Sequence, residues 1–312
     1  MSKYLVTGGC GFIGSHLVKL LVQKGNQVVV LDDLSTGSLD NLLGVDYKFV
    51  QGSVLDQDIL KKLFKNIDGC FHLVAIASVQ KSINNWHYAH QVNLTGTVNI
   101  FLQSSVQDVP VVYASSAAVY GEADDFPLRE NSKINPLSPY AVDKYSCELQ
   151  AKVFGKLKYL KSCGLRFFNV YGVGQLKDSD YSGVISIFKQ QVEVGGELKI
   201  FGNGQQSRDF IHISDVTEMC MRSMGITSIS APILNVCTGI SSSINELAQI
   251  ISKIGYVKAI EYLPEQVGSI NISVGCPKLA YESLDYQAKY GLEIGLLELF
   301  SQNMKGSNTN NL

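Results

Sequence analysis

Charge is scarce in this chain. Asp, Glu, Lys and Arg make up 17% of its 312 residues, and 26 basic against 28 acidic side chains leave a formal net charge of −2. No basic stripe forms, which argues against a nucleic-acid partner. Internal repeats and long linkers are absent too. Seven cysteines (Cys10, Cys70, Cys147, Cys163, Cys220, Cys237 and Cys276) form no CxxC pair and no other metal-ligand spacing. Free or buried thiols in a reducing compartment, with no metal, are therefore expected. No apolar run is long enough to span a bilayer. Met1-Ser2-Lys3 runs straight into a strand pattern and leaves no room for a signal peptide. Together these absences set the expectation of a cytoplasmic protein without a membrane or nucleic-acid partner.

What is plentiful is apolar. Hydrophobic residues are 46% of the chain, enough for a sizeable core. The length suits one large α/β domain with a smaller lobe, or two modest domains. Strand-like runs at Tyr4–Thr7, Gln27–Leu31, Asp46–Val50, Gly69–Leu73, Pro110–Ala114 and Gly164–Phe168 alternate with helical patterns near 12–22, 56–65, 87–106 and 139–160. This alternation predicts a Rossmann-type, doubly wound parallel sheet with helices on both faces. After about residue 170 the pattern breaks. Short strands (198–201, 209–212, 232–236, 258–262) mix with helices near 183–194, 214–224 and 243–254. The expected organisation is a dinucleotide-binding domain over 1–170, a mainly substrate-binding α/β lobe over 171–305 with some segments crossing back, and a disordered polar tail at 306–312. A cleft between the lobes is the expected ligand site.

Residues 5–14, LVTGGCGFIG, leave an apolar run and enter an amphipathic one. Gly8, Gly11 and Gly14 fall three apart. Such a turn lets backbone approach a pyrophosphate and aims free N–H groups at it from a helix start. The bland alternative is an ordinary strand–helix turn. The second strand then ends in Asp32 and Asp33, about 20 residues on, where a carboxylate would accept hydrogen bonds from ribose hydroxyls. A 2′-phosphate would meet that charge with no arginine to offset it, which favours NAD over NADP. A polar strand end is the competing reading of the two acids.

Downstream, YASSAAVYG (113–121) closes the fifth strand and SPYAVDKY follows. Tyr140 and Lys144 fall one helical turn apart, on one face. A phenol of pKa about 10 is a poor base at neutral pH. A lysine ammonium one turn away stabilises the phenolate, as does the positive nicotinamide ring of bound NAD⁺. Ser116 can hydrogen-bond the same substrate oxygen. The three could remove a proton from an alcohol while hydride leaves for NAD⁺. A lone Tyr-x-x-x-Lys is otherwise a surface i,i+4 pair.

TGGCGFIG, LDDLSTG, FHLVAIASV, VNLTGTVN, YASSAAVYG, SPYAVDKY, LRFFNVYG and IFGNGQQSRDFIHISDV, in that order, resemble the extended short-chain dehydrogenase/reductases, specifically the NAD-dependent nucleotide-sugar epimerase/dehydratase group. The resemblance covers about residues 3–300. It implies NAD contacts from Gly8, Gly11, Phe12, Ile13, Gly14, Asp32, Asp33, Ser35, Thr36, Gly37, Ser53, Val54, Leu73, Val74, Ala75, Asn93 and Phe167, besides Tyr140 and Lys144. It implies Ser116, Tyr140 and Lys144 as the catalytic set. For a nucleotide-sugar substrate it implies Ser78, Ser116, Asn169, Val184, Phe201, Arg208, Gln266 and Ser273. Asn169 would donate to a diphosphate, Phe201 would lie near the base, and Arg208 would pair with a phosphate. The competing reading of Arg208 is a structural ion pair with Asp209 or Asp215. Members of the group commonly dimerise through two long helices, so a homodimer is expected.

Dehydratases and decarboxylases of the group resemble one another in carrying an acid just after the strand-five serine or threonine. Here those positions are Ala117 and Ala118, which favours epimerisation at sugar carbon 4 of a UDP-hexose or UDP-N-acetylhexosamine. A 4,6-dehydratase, a 4-keto reductase and a non-catalytic nucleotide sensor remain as alternatives. Several positions depart from the group's pattern. Ser53 stands where an aspartate is usual, Val74 where an alanine is, and Cys276 where an aspartate is. Gln266, beside Glu265, replaces an arginine and would forgo about 1.5–3 kcal/mol of charge-assisted binding. Ser273, at a position bulky in galactose-type enzymes, would admit an N-acetyl group on carbon 2.

Overall fold

Runs rich in Val, Leu and Ile with no polar alternation suit strands buried on both faces. In the computed structural model, which describes residues 1–175, 183–265 and 270–301, they form β1 (Lys3–Thr7), β2 (Gln27–Asp32), β3 (Lys48–Gln51), β4 (Gly69–His72), β5 (Val111–Ser116) and β6 (Ser162–Phe167). Later strands are β7 (Asn169–Tyr171), β8 (Glu197–Phe201), β9 (Ser207–Arg208), β10 (Phe210–His212), β11 (Ile233–Val236), β12 (Ser242–Ser243), β13 (Ala259–Leu263) and β14 (Ile272–Ser273). β11 joins the first six in one parallel sheet of order β11-β6-β5-β4-β1-β2-β3. This is the expected doubly wound Rossmann-type arrangement. Strand order reverses at β1 and β4, and the crevice beyond their carboxyl ends is where such sheets bind ligands.

Helices α1 (Phe12–Gln23), α2 (Gln57–Leu63), α3 (Val79–Asn84), α4 (Trp86–His90), α5 (Gly96–Gln107) and α6 (Pro139–Lys158) fall between the early strands. α7 (Val184–Val194), α8 (Ile213–Ser223), α9 (Ile244–Ile254), α10 (Lys278–Leu284) and α11 (Leu292–Ser301) follow. On one sheet face Leu17, Val18 and Leu21 of α1 share a core with Val216 and Met219 of α8. On the other, Ile100 and Phe101 of α5 share one with Cys147 and Ala151 of α6. Each fully buried aliphatic side chain contributes roughly 1.5–3 kcal/mol. A third core joins α7, α9 and α11 to β8 through Phe188, Leu198, Leu247, Ile251 and Leu296.

The expected helix near 87–106 is present as one helical run, in which α4 and α5 are joined by a wider turn. Asn85, at φ −137° and ψ 61°, separates α3 from α4. The wider turn covers Gln91–Thr95. The expected strand at 209–212 is β10, over Phe210–His212; a short strand not expected, β9, precedes it in a different sheet, β12-β9-β14 against β10-β7. Asp209 interrupts them, its carboxylate turned to other partners. Among the described residues no helix is long and apolar enough to cross a membrane. The expected disordered tail at 306–312 lies outside the described residues, as do Gln266 and Ser269.

Candidate active site

The glycine turn works by excluding side chains. Gly8 sits at φ +72°, and a Cβ there would come within 3.0 Å of the Val74 nitrogen. A Cβ on Gly14 would collide with the Gly8 carbonyl. α1 therefore starts flush against the ends of β1 and β4. Its N-cap, Gly11, offers no side-chain cap, and no acid stands in its first turn. The orphan N–H groups of that turn remain for a ligand anion.

Asp32 closes β2 with its side chain buried. Its two oxygens accept the Cys10 and Leu34 N–H groups, each at 2.9 Å. A carboxylate has about four acceptor positions, so two remain for hydroxyl donors. Burial pushes its pKa up, and the two backbone bonds pull it down.

A cavity of about 630 Å³ runs from this turn to β5. Of the residues expected from the sequence, Gly8, Gly11, Phe12, Ile13, Gly14, Asp32, Asp33, Ser35, Thr36, Leu73, Val74, Ala75, Ser116, Tyr140 and Phe167 line it. Gly37 lies behind it, where a Cβ would come within 2.8 Å of the Cys10 carbonyl carbon. Ser53 caps its own turn by accepting the Leu55 N–H at 3.2 Å. Val54 is buried in the core beside α5. Its carbonyl accepts from Asn99 at 3.2 Å, a structural task that the sequence did not signal. Asn93 does not line the cavity. Its side chain accepts the Ile76 N–H at 2.8 Å and donates to the Ile76 carbonyl at 3.3 Å, which pins the lining loop after β4.

α6 is started by Ser138, whose hydroxyl accepts the Ala141 N–H at 3.2 Å, with Pro139 in the first turn. This start sets Tyr140 at the cavity wall and Lys144 one turn deeper. Lys144 is buried, and its Nζ donates to the Ala114 carbonyl at 2.9 Å and lies 5.9 Å from the Tyr140 ring centroid. Burial lowers the Lys144 pKa. Burial pushes the Tyr140 phenol up to about 12, and a hydrogen bond with Ser116 pulls it back. The Ser116 hydroxyl also accepts the Ala118 N–H at 3.2 Å. Ser116, Tyr140 and Lys144 thus converge from β5 and α6, with alanines following the serine.

Arg208 and Ser273 are register partners of β9 and β14. Arg208 donates to the Ser207 and Asn271 carbonyls at 2.9 and 3.4 Å. Among the described residues no carboxylate pairs with it. Asp209 instead takes Thr238, Gly239 and Gly275, and Asp215 takes Tyr286, Lys289 and Tyr290. Asn169 donates to the Asp209 carbonyl at 3.2 Å, which ties β7 to this strand. Ser78 is buried and caps α3 through the Lys81 N–H at 3.1 Å. Val184 opens α7 and packs on the lobe core, and Phe201 ends β8 half-exposed. These substrate-side residues lie outside the cavity lining, and Gln266 lies outside the described residues. Sequence reasoning missed Lys81, Asn84, Asn85 and Tyr88, which do line it. All but Tyr88 precede the expected helix, on or just after the short helix α3, and the polar pair Asn84-Asn85 was the available signal.

The fold and this cavity define a dinucleotide-dependent α/β enzyme. Residues 4–237 match the NAD dependent epimerase/dehydratase family, and the chain belongs to it. It is 34% identical over 303 residues to UDP-glucose 4-epimerase of Mycolicibacterium smegmatis, covering 94% of this chain and 96% of that one. Among solved structures, UDP-glucose 4-epimerase of Thermotoga maritima, with UDP-glucose, superposes with a TM-score of 0.93 at 32% identity, covering 98% and 100% of the two chains. UDP-N-acetylglucosamine 4-epimerase of Methanobrevibacter ruminantium, in complex with UDP-N-acetylmuramic acid, gives 0.92 at 33% identity, covering 98% and 99%.

Proposed function

We propose that this chain is an NAD-dependent 4-epimerase acting on a UDP-sugar. The observation that carries the reading is the convergence of Ser116 and Tyr140 on the dinucleotide-sized cavity with Lys144 one turn behind them, and Ala117 and Ala118 where eliminating relatives need an acid. The glycine cradle and the two open acceptor positions on Asp32 fit NAD. When bound, NAD supplies hydride exchange with sugar carbon 4. Tyr140, as phenolate, takes the 4-hydroxyl proton, and Lys144 stabilises its charge. Ser116 hydrogen-bonds the oxygen as it becomes a carbonyl. Arg208, a cation with only carbonyl partners among the described residues, holds the diphosphate while the 4-keto sugar turns. Carbon 4 of the turned ketone then takes the hydride back on its opposite face, and Tyr140 returns the proton to the 4-oxygen. A methyl at 117 or 118 can donate no proton to a leaving water, so oxidation is followed by return rather than loss.

Asn169, Phe201 and Ser273 would complete the nucleotide-sugar side, Ser273 leaving room for an N-acetyl group. Residues 1–170 with β11 read as the cofactor domain, and the remainder mainly as the substrate lobe. The protein would work as a homodimer. Leu102 and Val106 of α5 and Leu149, Val153 and Leu157 of α6 are exposed and form apolar stripes on neighbouring helices. A cytoplasmic site, supplying sugars for polysaccharide synthesis, fits the unpaired cysteines.

The deciding experiment incubates purified protein with UDP-, dTDP- and GDP-sugars without added cofactor and separates the products. Interconversion of 4-epimers without net NADH supports the reading. A stable keto product points to a dehydratase, and an inert protein to a sensor. Val153→Glu should convert a dimer to monomer in sedimentation, and an unchanged mass would exclude this interface.

A further inference from the structure

Ser115 and Arg166 face each other across β5 and β6, one residue before Ser116 and Phe167, which line the cavity. Both side chains are buried, and both close on one residue of α6, Glu148, itself 1% exposed. Glu148 Oε1 accepts the Ser115 hydroxyl at 2.6 Å and Arg166 Nε at 2.8 Å, and its Oε2 accepts Arg166 Nη2 at 2.7 Å. The fork is held from behind. Arg166 Nη1 donates to the Tyr120 hydroxyl at 2.8 Å and to the Glu130 carbonyl at 3.0 Å. Tyr120 donates in turn to Asn235 Oδ1 on β11 at 2.6 Å.

Glu148 falls one helical turn after Lys144 and two after Tyr140, on the same face of α6. Three rungs therefore join α6 to the end of β5: Tyr140 to Ser116, Lys144 Nζ to the Ala114 carbonyl at 2.9 Å, and Glu148 to Ser115. The third is tied onward to β6 through Arg166 and to β11 through Tyr120. Stability does not call for this arrangement, because apolar side chains of the same volume commonly match or exceed a buried ion pair. What a planar guanidinium on both oxygens of a carboxylate adds is direction. Apolar contacts are non-directional and fix a helix along a strand less sharply than a two-point fork does.

We propose that Glu148, gripped by Ser115 and Arg166, is a positioning residue that sets α6 against β5 so that the Tyr140 and Ser116 hydroxyls meet the same substrate oxygen. Catalysis between positioned groups is steep in distance, and a displacement of about 1 Å can cost about 10²-fold. The inference rests on the proposed reading of Tyr140 and Ser116 as the groups that handle the 4-hydroxyl.

The test uses protein purified with its NAD. Ser115→Ala, which leaves the Glu148–Arg166 pair in place, should lower kcat for UDP-sugar epimerisation about 10-fold, with KM and NAD retention unchanged. Arg166→Lys, which keeps the charge but cannot span both oxygens, should lower it about 100-fold. A second readout needs no turnover. In protein carrying ¹³Cζ-labelled tyrosine, the Tyr140 NMR signal is assigned by its loss in Tyr140→Phe. Ser116→Ala shows how that signal moves when its hydrogen-bond partner is removed. Ser115→Ala and Arg166→Lys should move it in the same direction. A lower melting temperature with an unmoved Tyr140 signal would mean a merely structural role and overturn the proposal, as would full kcat in a folded Ser115→Ala protein. Should Arg166→Lys fail to fold, Ser115→Ala decides alone. A wild type inert toward every sugar nucleotide would sink the epimerase reading but leave the Tyr140 signal as the measure of positioning.

Discussion

The two sides of the site are made from different materials. The cofactor wall, from Gly8 to Asp33, is backbone: a turn without side chains, an uncapped helix start and a strand end. The strands bearing Arg208 and Ser273 are two residues long each, and they hang on a single buried carboxylate, Asp209. A wall built of backbone needs one local pattern. A wall built of side chains on short strands needs partners more than 60 residues apart to find one another, as Asp209 and Gly275 do. The proposed function divides along the same line: binding a constant cofactor would fall to the first, and choosing a substrate to the second.

This contrast can be broken by substitution. Tyr140→Phe should lose about 10²–10⁴-fold in kcat, measured by product chromatography, while NAD retention stays unchanged. Survival of turnover would move the base elsewhere. Gly14→Ala should abolish NAD retention, read from the absorbance of cofactor released by denaturing the purified protein, because the new methyl meets the Gly8 carbonyl rather than a movable side chain. Arg208→Met should do the reverse: NAD stays, and the KM for the UDP-sugar rises about 10–150-fold, the equivalent of about 1.5–3 kcal/mol. If Arg208→Met also stripped the cofactor, the two sides would not be separable as described.

The sequence made the cofactor side legible for the reason just given. Glycines three apart, the acid at the end of β2 and the Tyr140/Lys144 spacing are short-range signals, and fifteen of the expected residues line one cavity. The rest depends on packing that the sequence does not display. Asn93, expected on the cofactor side, has its amide bonded to both polar groups of Ile76 in the lining loop. Ser53 and Val54 follow β3 in sequence, yet one caps its own turn and the other packs in the core. The helix α3, six residues long and ending before Asn85, is too short to show a helical period in sequence. Lys81 and Asn84 line the cavity from it, and Tyr88 from α4. Arg208 had two candidate acidic partners in sequence, and only packing could show that both are committed elsewhere.

The smallest expected effect concerns the floor beneath the cofactor. His72 joins Thr7 at 2.7 Å and Thr97 at 3.0 Å, and Thr97 in turn donates to the Asn93 carbonyl at 2.6 Å. Burial lowers the His72 pKa to about 3 in the folded protein. An unfolded chain binds that proton near the ordinary value of about 6.5. Below that pH the unfolded state therefore holds the extra proton, and stability falls with acidification. One such histidine contributes a slope of at most about 1.4 kcal/mol per pH unit. Urea unfolding at pH 7, 6 and 5 should show the decline, flattened in His72→Gln. His16 and His212, also lowered by burial, act in the same direction and would leave a residual slope.

The return of β11 to the main sheet has a consequence for how the chain is made. β6 bonds β5 on one side, and its other side is covered by residues 233–236, with Ser228 bridging Ser162 at its start. During synthesis at roughly 5–20 residues per second, those residues emerge several seconds after β6. In that interval the nascent chain presents an open, apolar strand edge, the kind of template that recruits neighbouring chains. A ribosome-bound chain stopped near residue 200 should therefore bind holdase chaperones more strongly than one extended past residue 260. The strand that closes the sheet is also the point at which the emerging chain becomes safe.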